Sequence, residues 1–217
     1  LVNTSEDEFD YPSGDSNKYT QYQGKAGIEM NLLNRVMFAI RERSLKILVS
    51  SNIKSDSKII INRNVMERVN KIMPYLSYES DPYSVVADGK LYWMLDAYTT
   101  SSYYPYSEPY DGKVGGTNYI RNSVKVVVDA YNGDVNFYVV DENDPMAKTY
   151  QKIYPQLFKS VDKMPDSLKA HIRYPNTLFE IQAGVYSRYH MEDVKVFYQN
   201  EDVWDIANEI YGKDEKR

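Results

Sequence analysis

An α+β fold is predicted, with an antiparallel sheet built from two hairpins and flanked by N-terminal and C-terminal helices. Three observations carry this. Apolar residues recur at helical spacing up to Met73 and again after Asp144, while the stretch between them alternates as strands do. Two turn dipeptides, Asp88-Gly89 and Asn132-Gly133, sit between apolar runs, which is the strongest short-range hairpin signal. The order helices, strands, helices favours a segregated antiparallel sheet over alternating βαβ units.

Residues 1–27 are polar, with bends at Asp10-Tyr11-Pro12 and Gly14-Asp15, and read as an extended leader lying on the domain. A helix is expected over 28–48, with Ile28, Leu32, Leu33, Val36, Met37 and Ile40 on its apolar face. Ile59 to Ile61 read as the end of a strand. The next helix carries Val65, Met66, Val69, Ile72 and Met73, with Asn62 or Asn64 as N-cap and Pro74 at its end. The first hairpin joins 83–87 to 91–98, and the second joins 119–131 to 135–140. Between them, 99–117 form a long loop. Asp144 then caps a helix with Pro145 at its first position. Further helices are expected from Pro165-Asp166, over 176–189, and over 201–211 with Val203, Trp204, Ile206, Ala207 and Ile210.

With 217 residues, 42% of them hydrophobic, the chain can bury one sizeable core and reads as a single α+β domain over 1–217. Its net charge is -5, from 26 basic and 31 acidic side chains. That argues against a nucleic-acid binder, which needs a cationic surface to displace counterions from phosphates. No apolar run approaches the ~20 residues of a membrane helix, and no signal peptide is visible before Asp10. A chain that opens on Leu1 instead of Met reads as part of something longer.

Chemistry-bearing motifs are sparse. Zero cysteines exclude disulfides and thiolate zinc. The two histidines, His171 and His190, lack the close spacing of a zinc face. Asp141-Glu142-Asn143-Asp144 runs into Pro145 and matches no EF-hand; a helix N-terminus explains it better. No nucleophile elbow, phosphate loop or dinucleotide fingerprint occurs. No metal and no cofactor is therefore expected, and His190 reads as the end of its helix.

One self-similarity stands out: Leu95-Asp96-Ala97-Tyr98 and Val128-Asp129-Ala130-Tyr131 end neighbouring strands alike. Aspartates there commonly bond turn amides. If the protein is an enzyme, Asp96 and Asp129 are the catalytic candidates, as a glycosidase-like carboxylate pair ~5–10 Å apart. The aromatic balance, 22 Tyr against 6 Phe and 2 Trp, reads for most of these residues as Tyr standing in core and sheet surface where other chains use Phe; the alternative is an exposed face for a sugar, a peptide or another protein. Loop residues Tyr103, Tyr104, Tyr106 and Tyr110 are the binding candidates, stiffened by Pro105 and Pro109, with Glu108 and Asp111 beside them. The competing expectation is that these rings pack back onto the sheet.

Several runs carry a resemblance. They are Phe9-Asp10-Tyr11-Pro12-Ser13-Gly14-Asp15, Leu95-Asp96-Ala97-Tyr98-Thr99-Thr100-Ser101, Tyr104-Pro105-Tyr106-Ser107 and Asn118-Tyr119-Ile120-Arg121-Asn122-Ser123-Val124-Lys125. Val128-Asp129-Ala130-Tyr131, His171-Ile172-Arg173-Tyr174-Pro175 and Arg188-Tyr189-His190-Met191 continue it. Together they resemble the bacterial uncharacterised membrane proteins called UPF0182. The resemblance implies a parent with N-terminal membrane helices and a large soluble region, of which this chain is a middle slice. It implies a place at the cell membrane, on its extracytoplasmic face, anchored by helices outside this chain. It supplies no activity and no catalytic residue. The expected function is a binding or assembly module for a protein or cell-envelope polymer; the alternative is a cell-envelope hydrolase using Asp96 and Asp129.

Overall fold

The computed structural model describes residues 1–110, 112–211 and 214–216, with the backbone alone for 209–211 and 214–216. The leader is more than an extended strand. Strands β1 (Glu8–Ser13) and β2 (Ser16–Thr20) fold into a hairpin through Gly14, whose φ of +61° suits a residue without Cβ. The Glu8 carboxylate accepts from the N–H groups of Asn3 (2.6 Å) and Tyr22 (3.0 Å), which pins both flanks of that hairpin.

The helix expected from residue 28 begins later and breaks in two. Ile28–Glu29 form β3, paired with β4 (Lys58–Ile59). Asn31 then caps α1 (Leu32–Arg41), its side chain accepting from Asn34 N at 3.0 Å. Arg43, at φ +51°, turns the chain out of the helix before α2 (Lys46–Val49). The Arg35 guanidinium donates to the carbonyls of Ile47, Leu48 and Ser50, satisfying groups that the short α2 leaves open. Met30, Phe38 and Ile53 form a small core here. Most apolar residues of α1 remain outside it.

Helix α3 (Val65–Ile72) is capped by Asn64, not Asn62, and ends at Met73 before Pro74. Next comes the main sheet: β5 (Ser77–Tyr78), β6 (Tyr83–Ala87), β7 (Lys90–Ser101), β8 (Tyr119–Asp129), β9 (Val135–Val139) and β10 (Phe158–Ser160). The order is β10-β9-β8-β7, with β5 and β6 both paired to the far side of β7. The two expected hairpins are its centre. In the first turn both Asp88 and Gly89 have positive φ, as a type I′ turn requires. In the second only Gly133 does, and a wider loop closes with Gly133 N on Asp129 O at 2.7 Å.

The expected two-hairpin, all-antiparallel sheet is thus too small. Strands β5 and β10 have two and three residues, too few to show a period. Strand β10 also runs parallel to β9, because the chain returns to the sheet through α4 (Pro145–Ile153). Both faces of the sheet are covered. Leu95, Ala97, Val124, Val126, Val128, Phe137 and Val139 pack with Val69 and Met73 from the α3 segment and Ala147 of α4. On the other face Met94, Val127 and Tyr138 meet Met164 and Leu168, which lie around α5 (Asp166–Lys169).

Helix α6 (Asn176–Tyr189) keeps its expected bounds, whereas the helix expected over 201–211 is not there. Asp193 instead caps an earlier helix, α7 (Val194–Gln199), by accepting from Lys195 N and Val196 N. Asn200, at φ +53°, ends it. Trp204 lies against α6, its backbone N–H donating to Ser187 O at 3.1 Å, and β11 (Glu209–Tyr211) pairs with β12 (Asp214–Lys216). No helix among the described residues is long and apolar enough to cross a membrane.

Candidate functional site

Polar chemistry collects where β7 and β8 leave regular register. A bulge lies between the Ala97 and Thr99 pairings, and bulges re-aim side chains. Around it, Asp144 accepts from the Thr99 and Ser123 hydroxyls and from Met146 N, so one fully buried carboxylate joins two strands to the start of α4. Next along the ladder Lys125 faces Asp96, and their buried side chains form an ion pair. The Lys125 ammonium also donates to Arg173 O at 3.2 Å. Arg121 pairs with Asp141 at the sheet end.

Glu79, between β5 and β6, ties α6 to the sheet. It accepts from the Tyr98 hydroxyl (2.6 Å), from Thr177 N and from the Thr177 hydroxyl (both 3.0 Å). Burial works against its charge, but these bonds and one from Ser80 N outweigh it and hold the carboxyl below its ordinary pKa. Burial, then the Glu79 carboxylate, push the Tyr98 hydroxyl far upward, so it stays a donor. Among the described residues every buried side-chain nitrogen or oxygen has a hydrogen-bond partner.

The structure does not bring the two candidate carboxylates together. Asp129 sits opposite Tyr92 and Asp96 opposite Lys125, four ladder positions apart. At the usual rise of a strand that is about 13 Å. Each is engaged separately. Asp129 accepts from Tyr131 N and Asn132 N, both at 2.8 Å, as turn aspartates do, while Asp96 is neutralised by Lys125.

The candidate tyrosines share an organised loop. Asn118 accepts from Tyr104 N (3.1 Å) and donates to the carbonyls of Tyr104 and Ser107. Tyr104 stacks on Tyr119, ring centroids 5.3 Å apart. Tyr110 N donates to Thr117 O at 3.2 Å and its ring is half exposed. Tyr103 and Tyr106 keep their rings in solvent. Tyr106 does so at φ +60°, a conformation that costs a side chain with Cβ roughly 1–2 kcal/mol. Asp111 lies outside the described residues.

A second surface was invisible in the sequence because it depends on residues 201–206 being a turn and irregular chain instead of a helix. Phe179, Ala183 and Tyr186 of α6, with Trp204 and Ile206, line a groove edged by Glu180 and Asp205. His190 stacks on Trp204 at 3.8 Å, its ring nitrogens facing Tyr186 O (3.2 Å) and the Asp202 carboxylate (3.4 Å). It is a packing residue at the end of α6. No cluster of metal-ligating side chains occurs among the described residues.

These features define an α+β module with organised aromatic surfaces and carboxylates engaged in structure. The chain belongs to a family described as "Uncharacterised protein family (UPF0182)", whose model matches residues 1–217. It is 53% identical over 216 residues to a UPF0182 protein of Alkaliphilus metalliredigens, covering 100% of this chain and 23% of that protein. Against a UPF0182 protein of Methanospirillum hungatei it is 53% identical over 220 residues, covering 100% of this chain and 24% of the relative. With one of Clostridium perfringens the figures are 54% over 210 residues, 97% and 22%. The chain therefore spans about a quarter of the length of these relatives. No solved structure matches it.

Proposed function

We propose that the chain is one binding and assembly module of a longer protein, onto which further polypeptide of that protein docks. The observation that carries this is α6. Its 14 residues include Phe179, Val185, Tyr186 and Tyr189, all exposed, and none of its residues is buried. A helix with apolar side chains and no buried face gains little from its own packing. About three-quarters of each relative's length lies outside the matched region, which supplies ample polypeptide to cover it. The outer residues of α1, Leu32, Leu33 and Ile40, are exposed in the same way.

The tyrosine loop is the module's outward contact, for a partner protein or an envelope polymer on the extracytoplasmic side of the membrane. Its support is Tyr106, held in a costly backbone conformation with its ring in solvent. Binding is favoured over hydrolysis because Asp96 and Asp129 are each committed to structural partners.

Hydrogen–deuterium exchange on the full-length protein tests the docking. Amides of 176–189 are expected to be protected like those of β7 and β8, and exchange at the rate of a solvent-exposed helix would refute it. For the loop, Tyr103→Ala with Tyr106→Ala is expected to abolish cosedimentation with purified cell-wall polymer, or retention of a copurifying protein, at unchanged melting temperature. Tyr104 is left intact because it holds the loop against Tyr119.

A further inference from the structure

Between β8 and the segment leading into α6 lies a pocket of about 610 Å³, within the size range of small-ligand sites. Arg121, Lys125 and Arg173 line it, against Asp141. Arg121 is paired with Asp141, and Lys125 with Asp96 behind it. Arg173 has no such partner: no ion pair among the described residues includes it. The pocket thus holds one surplus positive charge in a chain whose net charge is -5.

Arg173 is also pre-organised. Its guanidinium lies 4.2 Å over the Tyr83 ring, while the Tyr83 hydroxyl donates to His171 O at 3.1 Å. Its carbonyl is tied to the Lys125 ammonium. Stacking fixes the plane of the donor fork, so less freedom is lost when an anion binds. Ile172 and Leu178 add apolar wall beside the charges.

We propose that this pocket binds a phosphate ester, its anionic group meeting the Arg173 and Arg121 guanidiniums with Lys125 at the base. The Arg173 fork supplies the uncompensated charge and the paired N–H donors that a phosphate takes, with Arg121 and Lys125, each already paired to a carboxylate, in the same lining. The apolar wall takes the esterified carbon. The phosphate belongs either to a soluble ester or to a lipid headgroup.

Titration calorimetry of the protein with inorganic phosphate and with glycerol 3-phosphate, and cosedimentation with phosphatidylglycerol vesicles against phosphatidylcholine controls, separate these sources. Saturable binding of a soluble probe assigns a soluble ester; binding only to the anionic vesicles assigns a headgroup. Either supports the site when Arg173→Ala weakens it at least tenfold and added salt weakens it further. Arg173 is exposed, so its variant is expected to melt as the native protein does. Should the alanine variant melt lower, Arg173→Gln, which keeps a side-chain stem over Tyr83, carries the same expectation. Absence of saturable binding to all three probes, or equal binding by the variant, would overturn the proposal.

Discussion

Lys125 and Asp96 face each other across the β7–β8 ladder, and their ion pair lies almost wholly inside the protein, with side-chain exposures of 6% and 5%. A pair so placed is costly to break and cheap to replace. Desolvation has already been offset by mutual attraction, so removing one partner strands the other. Asp96→Ala is expected to lower unfolding free energy by about 3–5 kcal/mol. Asp96→Leu combined with Lys125→Met should recover most of that loss, as read by urea denaturation. Additive losses in the double variant would show that the two residues act independently.

Asp144 is the structural hinge between sheet and α4. It caps the helix and accepts two hydroxyl bonds from neighbouring strands. Asp144→Ala removes the cap and leaves Thr99 and Ser123 without their acceptor, at an expected cost of about 2–4 kcal/mol. Asp144→Asn keeps one acceptor oxygen toward Met146 N and should lose clearly less. Equal losses in thermal melting would mean that the charge, not the geometry, matters.

Glu79 sets an acid limit. Its folded carboxyl titrates below its ordinary value despite burial, because Tyr98, Thr177 and Ser80 donate to it. Such a group contributes stability that is fully present above the unfolded pKa of about 4.3 and is lost as pH falls through the folded one. Melting temperature should therefore drop more steeply below about pH 4.3 in the native protein than in Glu79→Gln. Parallel acid limbs would remove Glu79 from this account.

Placement relative to the membrane is open to direct measurement. The proposed extracytoplasmic position predicts that protease added to intact protoplasts cleaves this region of the full-length protein. Protection until lysis would reverse the assignment.

Much of this architecture was legible in residue order. The Asp88-Gly89 turn, the Asp144 cap and an asparagine cap on α3, at Asn62 or Asn64, follow from local chemistry, because a cap or a turn needs only residues a few positions apart. The aspartate repeat was equally visible, but its meaning was not. Whether Asp96 and Asp129 converge depends on register, and register places Lys125 opposite one and Tyr92 opposite the other.

What the sequence determined by itself is the central pair of hairpins, the helices α3, α4 and α6, and the family resemblance. Tertiary structure alone decided the parallel addition of β10, the non-helical path of 201–206 beside α6, and the meeting of Arg121, Lys125 and Arg173 at one pocket. The reason is range. Strands of two or three residues carry no period, and Trp204 has helical spacing yet lies outside any helix, its ring against Tyr186 and His190 at the end of α6. Only contacts between distant segments, which no local pattern encodes, choose between such outcomes.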